Sequence, residues 1–309
     1  MSLGKSDWIW LDGQFIAWDD AKTHVLDHGI HYGTGVFEGI RAYKMQDGNS
    51  AIFRLEEHVE RMFKSAAIIQ MKISYEEKEI KEIIVETVRK NRLTECYIRP
   101  LAWFGYGEIG VYVRNPFVNV MVAAWEWGKY LGKEALEEGI RAKISTWIRS
   151  NPNAFPSQIK NTGSYLNAVL AAREVRAMGY DEAIMLDHRG FISEGPGENI
   201  FIVENDVLLT PPLHASILPG ITRDTVITLA QDLGYEVKET DITRGRLYNS
   251  DEAFFTGTAA EVTPIREVDD RRIGSGKRGP VTERIQKEYL ATVTGEREQH
   301  KLWLTYVYI

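Results

Sequence analysis

Ser157-Gln158-Ile159-Lys160-Asn161-Thr162-Gly163-Ser164-Tyr165-Leu166-Asn167 sets one lysine between an apolar residue and a run of small polar ones, and a helical pattern follows. Ala168, Val169, Ala171, Ala172 and Val175 supply the apolar positions of that helix, with Arg173, Glu174 and Arg176 among its polar ones. Asn161 or Thr162 can cap its start. Lys160 is then expected to project from the end of a strand, at the junction with the helix. A lysine held there and partly desolvated is a candidate nucleophilic amine. Taken alone, it reads as easily as a solvated surface residue.

The chain has 309 residues, long for one ordinary domain and comfortable for two. Its net charge of -7 argues against nucleic acid or an anionic membrane as the main partner. Cys96 is the single cysteine, so no intramolecular disulfide can form and a reducing, cytoplasmic setting fits. The stretch from Met1 to Trp10 carries Gly4, Lys5 and Asp7 without a long apolar core, so it does not read as a signal peptide. No apolar run approaches the ~20 residues of a membrane span.

Trp8 to Ala17 reads as two strands around Asp12-Gly13, a hairpin signal. His28 to Tyr43 is rich in glycine and aromatics, with a strand expected at its end. Leu55 to Gln70 and Tyr75 to Leu93 are expected helices, the first amphipathic through Leu55, Val59, Met62, Phe63 and Ala66. Ile80, Ile83, Ile84 and Val88 are the expected buried positions of the second. Strands follow at Cys96 to Gly105 and Phe117 to Trp127. This predicts a small α+β domain over 1–127, a charged, glycine-bounded connector over 128–139, and a larger domain over 140–309. In the larger one, strands are expected at Ile140 to Ile148, Glu182 to Leu186, Gly190 to Ser193, Asn199 to Val203, Val207 to Thr210, Glu236 to Asp241 and Glu252 to Thr256. Helices are expected at Thr222 to Gly234 and Pro280 to Thr292, and Arg271 to Gly279 reads as a mobile polar loop. Many short strands with few helices suggest a barrel-like sheet.

Pro219-Gly220-Ile221-Thr222-Arg223-Asp224 precedes a helix, where unpaired N–H groups and the Thr222 hydroxyl can bind an anion. Thr256-Gly257-Thr258-Ala259-Ala260 closes an apolar strand with small residues and two hydroxyls, a second candidate anion turn. An ordinary capped helix and a plain turn account for the same residues taken singly. Two such turns plus one lysine point to a phosphorylated aldehyde cofactor. Pyridoxal phosphate also needs a carboxylate at its pyridinium nitrogen. Glu194, flanked by Ser193 and Gly195 in Ile192-Ser193-Glu194-Gly195-Pro196-Gly197-Glu198-Asn199, can be that partner, and Glu198 competes with it.

Seven stretches, taken together and in this order, resemble the branched-chain amino acid aminotransferases of the class IV, fold-type-IV pyridoxal phosphate enzymes. They are HYGTGVFEGIRAY (His31 to Tyr43), FRLEEHVERMFKSA (Phe53 to Ala66), YIRPL (Tyr97 to Leu101), Lys160 with GSYLN, ISEGPGENIF (Ile192 to Phe201), LPGITRD (Leu218 to Asp224) and TGTAAEVTPI (Thr256 to Ile265). They span most of the chain.

The resemblance implies an α/β (α+β) fold, a small domain plus a larger pseudo-barrel domain, with the cofactor in the cleft between them. It implies that Lys160 is the Schiff-base lysine and proton carrier, and that Glu194 pairs with the pyridine nitrogen. Arg61 would reach the phosphate, Tyr165 the ring oxygen, and Ile221, Thr222 and Thr258 the phosphate by backbone amides and hydroxyls. Tyr97 with the Thr258-Ala259 turn matches the α-carboxylate site. Tyr32, Phe37, Gly39, Ile109, Val111, Trp127 and Tyr130 match the side-chain pocket, part of it lent by a neighbouring subunit. Arg99 matches the arginine that receives the second carboxylate of glutamate.

The implied reaction is transamination of leucine, isoleucine or valine with 2-oxoglutarate, by a homodimer or a hexamer of dimers, in amino-acid biosynthesis. Ile159-Lys160 is also similar to D-amino acid aminotransferases and aminodeoxychorismate lyases of the same fold, so a D-amino acid or amine transaminase is the alternative. A non-catalytic phosphate-metabolite binder is the rival from another class. A metal hydrolase is disfavoured, since the histidines form no HExxH or comparable set.

Overall fold

The computed structural model describes residues 4–127 and 132–308. Tyr130 therefore lies outside the described residues, as do the other positions of 128–131. The described residues up to Trp127, with Ile159–Gly163 and the stretch from Ala291 onward, form one compact unit. The described residues from Gly132 to Gln158, with Ser164–Leu290, form a second.

The first unit opens with β1 (Trp8–Leu11) and β2 (Gln14–Ala17), paired antiparallel around Asp12 and Gly13. Both turn residues have positive φ, 46° and 95°, as a tight two-residue hairpin demands. A short helix α1 (His28–Tyr32), β3 (Gly35–Phe37), β4 (Ile40–Lys44) and β5 (Ser50–Phe53) follow. Helices α2 (Leu55–Ile68) and α3 (Glu77–Lys90) then lead to the long strands β6 (Cys96–Phe104) and β7 (Val118–Glu126). The sheet order is terminal strand (Leu304–Tyr306), β5, β4, β6, β7, β1, β2, with β3 also on β6.

Strand alternation divides this sheet. Cys96, Ile98, Ala102 and Phe104 of β6 enter a core with Val59 and Met62 of α2 and Ile80, Ile84 and Val88 of α3. Phe63 and Ile83 only pack against that core. The alternate residues Tyr97 and Arg99 therefore face the other way. Glu76 and Glu79 form a capping box that starts α3.

The second unit begins with helix α4 (Gly132–Glu138), in the stretch expected to be a plain connector. Next come β8 (Ile140–Ile144), α5 (Tyr165–Ala177), β9 (Glu182–Ile184), β10 (Asn199–Glu204) and β11 (Val207–Thr210). They are followed by α6 (Ile221–Asp232), β12 (Val237–Glu239), α7 (Arg244–Asn249), β13 (Glu252–Gly257), β14 (Glu261–Val268), β15 (Arg271–Arg272) and α8 (Pro280–Val293). The sheet order is β12, β11, β10, β13, β14, β8, β9, with β15 on β14. β8 and β9 are parallel, so their connection has to be a long crossover. That crossover contains the lysine stretch and α5. Ile144, Ile184, Ile192, Ile200, Ile202 and Phe255 fill the core on one side of the sheet. Phe201 and Phe254 stack at 5.1 Å.

Several expectations need correction. Lys160 does not end a strand: it precedes a single bridge between Asn161 and Val36. Neither Asn161 nor Thr162 caps α5; Ser164 holds that position and makes no side-chain cap bond. Thr162 is taken up elsewhere, as described below. Val169 is exposed rather than part of an apolar face. Gly190 to Ser193 is not a strand but a turn closed by a bridge from Ile192 to Leu186. Arg271 to Gly279 contains the short strand β15 and a turn through Gly274 and Gly276. Strand β14 runs unbroken through Pro264, which pairs with Phe254, and its register to β8 shifts between Ile265 and Glu267.

Cys96 lies fully buried in the first core, and burial pushes its thiol up to about 12. In the unfolded chain the thiol ionises near pH 8.5. The folded state therefore keeps its proton while the unfolded state loses it, and this contribution to stability is lost as pH rises from about 8.5 towards 12. Denaturant melts across that range should show a slope of up to about 1.4 kcal/mol per pH unit from this group. Cys96→Ala should remove that slope, and the native thiol should resist a disulfide reagent at pH 8.

Candidate active site

Backbone pairing builds the lysine stretch into the first unit. Phe37 N–H donates to the Lys160 carbonyl at 3.0 Å, Thr162 N–H to the Gly35 carbonyl at 2.8 Å, and Gly163 N–H to the Gly33 carbonyl at 3.1 Å. Thr162 Oγ1 donates to the Gly33 carbonyl at 2.8 Å and accepts from Gly35 N–H at 3.0 Å. Gly33 is left-handed, with φ 65°, and a Cβ on it would lie 2.7 Å from Gly163 Cα. Only glycine permits that approach. Ser65 Oγ accepts from Lys160 N–H at 3.1 Å and donates to the Arg61 carbonyl at 2.8 Å. The Lys160 side chain runs to Phe37, its Nζ 5.2 Å from the ring centroid.

Arg99 meets the same ring from β6, its guanidinium carbon 4.8 Å from the Phe37 centroid. As period two requires, Arg99 and Tyr97 share a face: Arg99 Nη2 donates to the Tyr97 hydroxyl at 3.1 Å. Arg99 Nε is buried with no hydrogen-bond partner, and no carboxylate pairs with this arginine among the described residues. The Tyr97 ring lies 5.3 Å from Trp125 and 4.9 Å from Trp127. Gly39 lets Tyr97 in, since a Cβ there would fall 1.9 Å from the hydroxyl oxygen. Phe37, Gly39, Tyr97, Arg99, Trp127 and Lys160 are thus brought to one face. Tyr32, Ile109 and Val111 are not among them and are exposed, at 42%, 61% and 92%.

Arg61 projects from α2 into an ion pair. Its Nε reaches Glu38 Oε1 at 2.7 Å and its Nη2 reaches Oε2 at 2.8 Å, while His58 Nδ1 lies 2.7 Å from Oε2. Burial alone would raise the Glu38 carboxyl; the Arg61 charge and the hydrogen bonds from Arg61 and His58 outweigh it and hold it well below the usual carboxylate range. Burial lowers the His58 imidazole, so it stays neutral and donates Nδ1–H to Glu38.

In the second unit, Glu194 is buried and its carboxylate is fixed from two sides. Arg149 Nη2 lies 2.9 Å from Oε1, and Asn199 Nδ2 and Leu218 N–H each donate to Oε2 at 3.0 Å. Glu198 instead folds back on its own turn, accepting from Gly197 N–H at 3.0 Å. Asn199 Nδ2 also donates to the Leu218 carbonyl. Gly220 is the N-cap of α6 and lies against Asn199: a Cβ there would be 1.9 Å from Oδ1. The N–H groups of Ile221 and Thr222 stand in the first turn of α6, where no intrahelical acceptor exists. Thr258 and Ala259 form the turn after β13, and the buried Thr256 Oγ1 at the end of that strand has no partner. Tyr165 is the first residue of α5 and half-buried.

These donor sets fit pyridoxal phosphate. An amine can hold the aldehyde, a fixed carboxylate suits a protonated ring nitrogen, and a helix N-terminus and an unsatisfied hydroxyl each suit a phosphate. Among the described residues no cluster could hold a metal ion, and no helix is long and apolar enough to cross a membrane.

Residues 35–268 match the family model for amino-transferase class IV. The chain belongs to the class IV aminotransferases. It is 49% identical to the branched-chain-amino-acid aminotransferase of Pseudomonas aeruginosa, over 99% of this chain and all of that one. The crystal structure of the Escherichia coli branched-chain amino acid aminotransferase is 47% identical, with a TM-score of 0.96 over 98% of this chain and 100% of that one. The T.th. branched-chain amino acid aminotransferase complexed with N-(5'-phosphopyridoxyl)-L-glutamate is 49% identical, with a TM-score of 0.94 over 98% and 99%.

Sequence reading passed over Glu38, His58, Arg149 and Asn199. A glutamate inside the apolar run of FEGIR was a usable signal, because a charge in a buried strand needs a counter-charge. Arg149 carried no local signal. Gly39→Ala should push Tyr97 off its face and lower stability by about 1–3 kcal/mol, the usual range for overpacking. Near-ultraviolet circular dichroism should change with it, because Tyr97 touches two tryptophans, and a melt should register the loss.

Proposed function

We propose that this chain is a pyridoxal phosphate-dependent aminotransferase that exchanges the amino group of branched-chain L-amino acids with 2-oxoglutarate. One observation carries the substrate reading. Arg99, with a buried Nε awaiting an acceptor, sits at the edge of an otherwise aromatic face beside Tyr97. An isobutyl side chain suits the aromatic part, and a distal carboxylate suits the guanidinium. Close identity over the full chain to branched-chain aminotransferases supports the same reading.

In this reading Lys160 Nζ holds the cofactor aldehyde at rest. Once freed, it would take the proton from the substrate Cα and deliver it to the cofactor carbon that had carried the aldehyde. The bound cofactor supplies an electron sink for the pair left at Cα. Glu194 keeps the ring nitrogen protonated, and its three donors hold the carboxylate in one orientation. Arg61, Ile221, Thr222 and Thr258 bind the phosphate, and Tyr165 the ring oxygen. Tyr97 and the Thr258-Ala259 turn hold the α-carboxylate. Tyr32, Ile109 and Val111 belong to the pocket through a second copy of the chain, in a homodimer or a hexamer of dimers, and Tyr130 belongs to the same pocket. The exposure of the first three, and of Ile30 and Tyr112, supports a partner over that surface. The unpaired, buried Cys96 agrees with a cytoplasmic setting.

The purified protein should be yellow, and L-leucine should shift its visible band while D-alanine should not. Lys160→Ala should fold but lose all but a trace of turnover. A colourless wild type, or a variant that still turns over, would sink the assignment.

Arg99→Ala tests substrate recognition. It should weaken the 2-oxoglutarate half-reaction by about 2–4 kcal/mol, the loss of one charge-assisted pair, and the leucine half-reaction much less. Stopped-flow absorbance of each half-reaction reads this. Equal losses for both substrates would make Arg99 structural.

A further inference from the structure

His28 is buried, although it opens a short helix whose later residues Ile30 and Tyr32 are exposed. Both of its ring nitrogens are occupied. Nε2 lies 2.7 Å from the Gly110 carbonyl and Nδ1 2.8 Å from the Thr34 hydroxyl. A carbonyl only accepts, so Nε2 carries the hydrogen and donates it to Gly110. The imidazole also lies against the Tyr32 ring, with centroids 4.4 Å apart and planes tilted by 31°, and meets Phe104 edge-on at 5.9 Å. Gly110 stands between Ile109 and Val111. One side chain therefore touches both segments that carry Tyr32, Ile109 and Val111.

The loop it holds has little else to fix it. Its base is closed where Gly105 N–H donates to the Phe117 carbonyl at 2.8 Å. Among the described residues, the hydrogen bonds of 106–116 are the one from His28 and one within the loop, Arg114 N–H to Glu108 Oε2 at 3.1 Å. The Tyr106 ring adds a contact with His24 at 4.3 Å. Gly107 and Gly110, with φ of 146° and 134°, adopt backbone conformations closed to most side chains. His28 is itself well fixed: its N–H donates to the Gly105 carbonyl at 3.2 Å, and the neighbouring Asp27 accepts from Trp103 Nε1 at 2.8 Å.

We infer that His28 is a positioning residue for side-chain selectivity: through Gly110 it sets where Ile109 and Val111 stand, and through its ring it sets Tyr32. This rests on the functional reading above, in which these three residues line the pocket of a second copy. Holding the loop before substrate arrives leaves less ordering to be lost on binding. The benefit falls on substrates whose side chain is long enough to use the pocket.

The amino acid half-reaction of the holoenzyme should be followed by stopped-flow absorbance with L-leucine and with L-2-aminobutyrate, whose side chain is shorter. Hydrogen exchange over 106–116 is measured on the same holoenzymes without substrate. His28→Phe keeps a ring beside Tyr32 but loses the donor to Gly110. It should lower the preference for leucine about fivefold, as one lost hydrogen bond allows, and leave 2-aminobutyrate within about twofold. Exchange over the loop should become about tenfold faster. His28→Gln, whose amide can donate from nearly the place of Nε2, should keep most of the preference and the slow exchange. If His28→Phe does not fold by circular dichroism, Thr34→Val, which releases the ring at Nδ1, should still lower the preference by about twofold. Unchanged exchange, an unchanged preference, or equal losses in His28→Phe and His28→Gln would overturn the inference. Val111→Ala separates this from the functional reading. If it leaves the preference for leucine intact, the loop is no part of the pocket, and that reading falls together with the inference. If it lowers the preference while the folded His28 and Thr34 variants do not, the inference alone fails.

Discussion

The antiparallel pairing of residues 160–163 with 33–37 is the constraint on which the rest depends. The chain leaves β8 and returns as α5 and the parallel strand β9, and a parallel pair allows this long excursion. At its far point it is held by the main-chain bonds of Lys160, Thr162 and Gly163, made close by Gly33 and Gly163. The lysine is anchored through its backbone, by its carbonyl to Phe37 N–H and by its N–H to Ser65 Oγ. The residue that receives the anchor, Phe37, begins the sequence Phe37-Glu38-Gly39. Those three positions meet the lysine, the α2 arginine and Tyr97 in turn.

How much of this was readable beforehand depended on whether the signal was local. The hairpin at Asp12-Gly13, helices α2 and α3 and the long strands β6 and β7 follow from turn chemistry and periodicity, and they lie within a residue or three of expectation. Tyr97 and Arg99 sharing a face is strand alternation and nothing more. The errors came where a residue has a distant partner. Thr162 looks like a helix cap because nothing in its neighbourhood reveals Gly33 and Gly35, which claim its hydroxyl. Lys160 looks like a strand end because its pairing consists of one bridge.

Charged residues divide in the same way. Glu194 was legible from its glycine-rich surroundings, and its geometry separates it from Glu198, which bonds to its own turn. The groups that hold Glu194 were not legible: Arg149 lies far back along the chain, and Asn199 reads as the ordinary start of a strand. In the first unit Glu38 sits in a motif that drew notice for its aromatic and glycine residues. Its partners His58 and Arg61 are three apart on α2, hence on one face, yet helical periodicity treats such positions as exposed unless a buried acid opposes them.

Asn199 has a consequence of its own. One side-chain amide bonds both to the Glu194 carboxylate and to the Leu218 carbonyl, and its oxygen lies directly beneath Gly220, where α6 begins. The carboxylate and the helix mouth are therefore joined by a spacer of a single residue. Their separation is set by the reach of one side chain rather than by the course of a loop.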